Sequence, residues 1–444
     1  MFKKMIFLLL MYCLLGNGVI AQTSDKWVTS WIGSVQGPYP IGNPSAQPHM
    51  EFAIPTPSSG VNNQSLRMIV RPDVWGSKSR IRLSNAYGDR AVTFDHVYLG
   101  LQMDSAELVK GSNQAVKFAG KNTITIEPGM SAWSDAIHLP FLTQANRAKL
   151  GGRKLAVSFH IHKASGAMTW HAKALQTSYI SAPNSGAVAG DEHETAFQFA
   201  TSSWFFLDAV DMKVPSSTQA IVCFGDSITD GTASVMNADD RWPDFFSRRL
   251  HNEFGEQFVV LNAGIGGNQI AGPELYTSSQ PFLGGPSSKD RLKRDVLDLS
   301  GVKALIWLEG INDFSKNGNA STEKVIQEYT NGINALKKAS IKVYGATVTT
   351  ALGSTSSAHG FAEQDEKRQK LNDFIRTSPL LDGVLDFDPV TLDRVTGGMK
   401  QEYVPESTTG GPGDKLHPNR TGYQAMANSI DLSFFRNLKI KNQH

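Results

Sequence analysis

Apolar and polar positions alternate every second residue through much of the first half of the chain. Arg67-Met68-Ile69-Val70-Arg71, Arg80-Ile81-Arg82-Leu83-Ser84, Thr123-Ile124-Thr125-Ile126 and Leu155-Ala156-Val157-Ser158-Phe159-His160-Ile161-His162 follow this period or nearly so, with Gly, Asn, Asp and Pro between the runs. The period gives each strand one buried and one wetter face. With no helical pattern between the strands, it predicts antiparallel sheets packed as a jelly-roll-like β-sandwich. The stretch from Trp27 to about Gln64 breaks the pattern. Pro38, Pro40, Pro44, Pro48, Pro55 and Pro57 rule out a long helix or a central strand there, so it is expected to wrap the surface as loop and edge strand.

Beyond Pro215-Ser216-Ser217 the period changes. Short apolar runs at 220–224, 258–261, 302–308, 341–348 and 383–387 read as buried strands, and residues 242–250, 322–338, 366–375 and 422–436 read as helices. Strands alternating with helices imply a mostly parallel sheet in a three-layer α/β/α domain with right-handed crossovers. The expected organisation is a β-sandwich accessory domain over 22–214 and a catalytic α/β domain over 218–444.

The amino terminus carries a different signal. Met1-Phe2-Lys3-Lys4, the apolar run 5–15 and the small-residue end Val19-Ile20-Ala21 predict a signal peptide over 1–21 and a secreted or periplasmic protein. Cys13 follows Tyr12 instead of a small residue, which argues against lipid anchoring. No later stretch approaches about 20 uninterrupted apolar residues, so no membrane span is expected. Cys223 would then be the one cysteine left, and between Val222 and Phe224 it is expected to be a buried core thiol. A formal net charge of +2 over 444 residues gives no reason to expect nucleic acid or an anionic membrane as partner. No phosphate-binding loop ending in Lys-Ser or Lys-Thr is present.

The chemistry-bearing residues lie in the second half. Gly225-Asp226-Ser227 follows the strand-like run 220–224 and reads as a sharp turn at the carboxyl edge of the sheet, where ligands bind in open α/β folds. Capping of the next helix by Asp226 or Ser227 is the plainer use of the same residues. A serine hydroxyl attacks poorly without a base, and His417 is the histidine of this half whose motif, Asp414-Lys415-Leu416-His417-Pro418, includes a carboxylate. On one turn of helix Asp414 would share a face with His417, take its Nδ1 proton and leave Nε2 to the serine. Asp386 and Asp388 are alternative partners for the imidazole. His251 and His359 are expected to face solvent. Asn262-Ala263-Gly264-Ile265-Gly266-Gly267-Asn268 reads as a glycine turn able to bring its N–H groups near a ligand. Asp226 and Asp313 are expected to brace backbone turns.

Gly-Asp-Ser, the glycine turn, Gly310-Ile311-Asn312-Asp313 and Asp-x-x-His, in that order, resemble the SGNH or GDSL hydrolase family over roughly residues 218–435. The resemblance implies Ser227 as nucleophile with His417 and Asp414. It also implies an oxyanion hole from the backbone N–H groups of Ser227 and Gly267 and the side-chain amide of Asn312. Asp226, Gly310 and Asp313 would support these residues, and neither metal nor cofactor is required. Thr229 stands where a Gly-x-Ser-x-Gly elbow would have its second glycine, which separates the chain from the α/β-hydrolases. The expected activity is a serine esterase removing O-acetyl groups from an acetylated glycan. A lipase or arylesterase of broader acyl range, or a non-catalytic glycan-binding surface protein, are the alternatives. From the β half, His171 is a candidate to reach the site. His160 and His162 share a strand face that can hold a metal, but with no third ligand visible nearby they are expected to be polar outer-face residues.

Overall fold

The computed structural model describes residues 25–143, 146–404, 413–436 and 438. The expected signal peptide, with Cys13, lies outside them. Among the described residues no helix is long and apolar enough to cross a membrane.

Six longer strands organise the first half: β1 (Lys26–Ile32), β2 (Gln64–Val70), β3 (Lys78–Ser84), β4 (Val92–Asp104), β5 (Leu155–Ile161) and β6 (Leu207–Val214). One antiparallel sheet runs β1-β6-β3 and on to Ser131–Trp133. The other runs from Phe199–Thr201 through Ser178–Ile180, β2, β5 and β4 to Glu107–Leu108. The wetter face expected of β2 and β5 is absent, because every residue of both strands is buried. Arg67 shows why. Its guanidinium bonds Ser158 Oγ and the carbonyls of Ala106 and Asp191 and lies over the Phe197 ring, so side segments cover the outer face.

The proline-containing first segment is edge strand and loop as expected, but its start does not lie at the surface. Strand β1 is at a sheet edge, yet residues 28–32 are buried against the second half. Thr29 N–H donates to the Ser300 carbonyl at 2.9 Å, and buried Asp211 accepts from Thr29 Oγ1, Arg80 and Ser300 Oγ. One apolar cluster therefore continues from Val28 and Met212 to Leu305 and Trp307. The two halves share a core.

The second half is built on strands β7 (Gln219–Gly225), β8 (Phe258–Gly264), β9 (Val302–Leu308), β10 (Lys342–Ala346) and β11 (Gly383–Leu385), all parallel, in the order β8-β7-β9-β10-β11. Its helices include α1 (Ser227–Asp230), α2 (Trp242–Phe254), α3 (Ser288–Leu292), α4 (Thr322–Lys338), α5 (Ala362–Thr377) and α6 (Arg420–Ser429). Alternate residues of each strand point to opposite faces. Val222, Phe224, Leu305 and Trp307 pack with Tyr329 and Ile333 of α4 and Leu371 of α5. Ile221, Cys223 and Ile306 pack with Phe246 of α2 and Tyr423 of α6. Cys223 is thus a core thiol, pushed well up by burial. The single closing helix expected over 422–436 is instead two: α6 stops at Ser429, Ile430 turns extended, and a short helix resumes at Ser433–Arg436.

The order places β8 on one side of β7 and β9 on the other. Consecutive connections therefore leave β7 in opposite directions, and a crevice opens at its carboxyl end. Buried Arg291 of α3 fixes that edge. Its Nη2 donates to the Gly225 carbonyl at 2.9 Å, Nη1 to the Ala263 carbonyl at 2.7 Å and Nε to Asn268 Oδ1 at 2.7 Å, while the guanidinium lies 3.8 Å from the Phe224 ring centroid. Arg291→Met would strand these buried acceptors and leave Asp295 with one cation fewer. Chemical denaturation should show a loss of about 3 kcal/mol or more, and a loss below about 1 kcal/mol would contradict this role.

Candidate active site

Helix α1 starts at the crevice because the chain turns sharply at Gly225. A Cβ there would lie 2.1 Å from the Leu308 carbonyl oxygen, so only glycine lets β7 pass this close to β9. Asp226 caps the helix by accepting the Ile228 N–H at 2.9 Å, and Gly231 ends it in the left-handed region at φ 102°. Ser227 is thereby held at the first position of a one-turn helix, buried but lining the cavity.

The imidazole arrives from far along the chain. His417 Nε2 is 2.8 Å from Ser227 Oγ, and its Nδ1 is 2.6 Å from Asp414 Oδ2. The segment is not the turn of helix that the spacing suggests. Lys415 takes φ 58°, and Asp414 Oδ1 accepts the backbone N–H groups of Leu416 and His417 at 2.9 Å each, so the carboxylate itself shapes the bend. Burial works to raise the Asp414 pKa, but the His417 ring and these N–H groups outweigh it and hold the carboxyl well below its usual range. Asp386 and Asp388 are taken by Arg376 and Arg368 and do not approach His417.

The glycine turn closes the opposite side. Asn262 Oδ1 accepts the Gly264 N–H, Asp230 Oδ2 accepts the Gly266 N–H at 2.9 Å, and Gly267 lies at φ 85°. Asn312 follows Gly310, itself at φ 131°, and its Nδ2 donates to the Asn268 carbonyl at 3.0 Å. Asp313 accepts the N–H groups of Ile270 and Ala271, and burial pushes its carboxyl up to about 7. Burial also pushes Asp226 well up, with Glu309 and Asp313 adding to the effect. Ser227, Gly267, Asn312, Asp414 and His417 all line one cavity of about 450 Å3.

The cavity wall includes residues that sequence reasoning missed. Gly42, Asn43 and Pro44 come from the proline-containing segment and Lys173 from the antiparallel half. Lys173 Nζ donates to Thr232 Oγ1 at 2.7 Å, and burial lowers its pKa against the pull of Asp230 and Asp414. No periodic signal marks these positions, because tertiary contact alone brings them to the site. His171 does not line this cavity. It is buried behind it, 3.1 Å from Asp230 Oδ1.

Three expectations for other histidines are corrected. His359 lines the cavity. The Gly360 N–H fixes Gln364 Oε1, so Gln364 Nε2 donates to His359 Nδ1 at 2.8 Å and the neutral ring carries its proton on Nε2. His251 is not a free surface group, since it reaches the Phe258 carbonyl and Asp73, and these outweigh burial to raise its pKa. His160 is buried, while His162 lies exposed just beyond β5. Two ligand-type neighbours, Asp95 and His96, do stand beside His160, with Asp95 Oδ1 bonded to both rings at 2.6 and 2.9 Å.

Residues 223–425 match the model of the GDSL-like lipase/acylhydrolase family, and this part of the chain belongs to that family of ester hydrolases. Among solved structures, a carbohydrate acetylesterase from Sinorhizobium meliloti is 12% identical, with 48% of this chain and 96% of that chain covered and a TM-score of 0.37. A GDSL-like lipase from Bacteroides thetaiotaomicron is 19% identical over 49% and 88% of the two chains, with a TM-score of 0.35. An inhibitor-bound aryl esterase from M. smegmatis is 16% identical over 47% and 95%, also with a TM-score of 0.35. No curated protein matches the chain.

Burial lowers His359 from 6.5 to about 4, with the neighbouring His417 ring adding to the effect. The unfolded chain therefore takes up this proton before the folded one does. The stability contribution is full above pH 6.5 and is lost as pH falls toward 4. His359→Gln should flatten the fall in denaturation midpoint across that window relative to the parent protein. An unchanged slope would contradict the assignment.

Proposed function

We propose that the protein is a secreted serine esterase that removes O-acetyl groups from a polysaccharide or oligosaccharide through an acyl-enzyme on Ser227. The hydrogen-bonded line Asp414–His417–Ser227, opening into a cavity beside Gly267 and Asn312, carries this reading. His417 Nε2 takes the hydroxyl proton as Ser227 Oγ attacks the ester carbonyl carbon. The resulting oxyanion accepts the backbone N–H groups of Ser227 and Gly267 and the amide of Asn312, each contributing roughly 3 kcal/mol to lowering the barrier. As the carbonyl re-forms, the sugar oxygen leaves with the proton from His417. Water then repeats the sequence on the acyl-enzyme and releases acetate.

The lining favours a small acyl group on a hydroxyl-rich alcohol. Asn43, Lys173, Gln269, Ser315, Asn317 and Ser356 offer donors and acceptors suited to sugar hydroxyls. Export rests on the amino-terminal pattern of residues 1–21. A lipase or arylesterase of broader acyl range is the second reading, favoured by Phe282 and half-exposed Leu283 in the same wall.

Acetate release from acetylated xylan, pectin and acetyl-sugars should exceed hydrolysis of long-chain esters. No acetate from any of them, with long-chain esters cleaved well, would overturn the acetylesterase reading in favour of the second. Asp414→Asn should cut kcat by roughly 100-fold or more on whichever ester is cleaved, since an amide no longer fixes the tautomer that leaves Nε2 free. Unimpaired turnover would remove Asp414 from the mechanism.

A further inference from the structure

The antiparallel half provides none of the reacting groups of this mechanism, yet its side chains close on one peptide unit of the site. Asn43 Nδ2 donates to the Gly266 carbonyl at 2.9 Å. A trans peptide is planar, with C=O and N–H pointing in opposite directions. Gripping the Gly266 oxygen therefore sets the direction of the Gly267 N–H in the same unit.

A second route holds the preceding N–H. Asp230 Oδ2 accepts from Gly266 N at 2.9 Å, and Asp230 Oδ1 faces His171 Nε2 at 3.1 Å. His171 is anchored in turn by Nδ1 at 2.7 Å from the Ser34 carbonyl, and Nε2 also faces the Lys173 carbonyl at 3.1 Å. The ring is thereby fixed between two backbone carbonyls and the Asp230 carboxylate. Both flanking peptides of Gly266 are thus tied to the antiparallel half. Asn43 also packs against Gly267 itself, since a Cβ built there would lie 2.8 Å from Asn43 Nδ2.

We infer that Asn43, with His171 acting through Asp230, is a positioning residue for the reaction: it aims the Gly267 N–H at the oxygen that becomes negative, so the antiparallel half is a working part of the catalytic site. Preset donors are effective because they need no reorganisation when charge develops. A donor freed to rotate loses that advantage without changing how a neutral ester binds. The effect belongs in kcat.

The inference rests on the esterase reading, and one set of measurements separates the two. With p-nitrophenyl acetate, which carries no sugar, Asn43→Ala should lower kcat about 10-fold with KM within about twofold and an unchanged thermal midpoint. Asn43→Asp keeps the shape but loses the donor and sets an oxygen against the Gly266 carbonyl, so it should be as slow or slower. His171→Ala should lower kcat in the same direction. Wild-type kcat in both Asn43 variants, recovery in Asn43→Asp alone, or a rise in KM at constant kcat would each overturn the positioning role. Ser227→Ala on the same ester is the separating control. If it is inactive, such a result counts against the inference alone, whereas wild-type turnover in Ser227→Ala would mean that the esterase reading itself had failed.

Discussion

The hydrogen bond between His417 Nε2 and Ser227 Oγ joins residues 190 positions apart, and most of the second half is arranged so that it can form. The hydroxyl needs a one-turn helix at the carboxyl end of a central strand. The ring needs a loop that runs back over that end before α6 begins. Neither is stable by itself: a four-residue helix has little intrinsic stability, and the 414–417 bend has a single residue buried. Both are held by side-chain carboxylates that accept backbone N–H groups, Asp226 for the helix and Asp414 for the bend. Asp414 serves twice, because the oxygen not occupied with the bend orients the imidazole.

The crevice floor is unusually charged for a buried region. Burial raises Asp226, Glu309 and Asp313 alike, Glu309 adds to the rise of both aspartates, and Asp313 adds to that of Asp226. Arg291 is a cation near Glu309 and Asp226, and its hydrogen bonds go to strand-end carbonyls, to the Asn268 turn and to Asp295. A cation in this place both ties the strand ends and offsets the crowd of carboxyls. The arrangement keeps the turn that carries Gly267 and the loop that carries Asn312 in register with the strand that carries Ser227.

Hydrophobic periodicity made the layers legible. The helix expected over 322–338 and the strand over 302–308 occur with those bounds, since an uninterrupted apolar face and a Ser321 cap leave little choice. Order along the chain singled out Ser227, Asn312, Asp414 and His417, because each lies in a short motif with turn chemistry of its own, and the structure brings them to one cavity. What could not be read is what comes from across the fold. Arg291 is a charged residue at a fully buried position, which periodicity reads as surface. His359 looked exposed in a Ser-rich loop until Gln364 of α5 fixed it against the cavity. Asn43 and Lys173 belong to the other half altogether, and only the shared core explains their presence.

The proposed mechanism makes Ser227 a nucleophile activated by His417. Mass spectrometry after treatment with a fluorophosphonate tests it most directly. The expected result is a single adduct on the peptide that contains Ser227, formed much more slowly in His417→Ala and absent in Ser227→Ala. An unlabelled protein, or an adduct that persists in Ser227→Ala, would contradict it and would favour a protein that binds glycans without cleaving them.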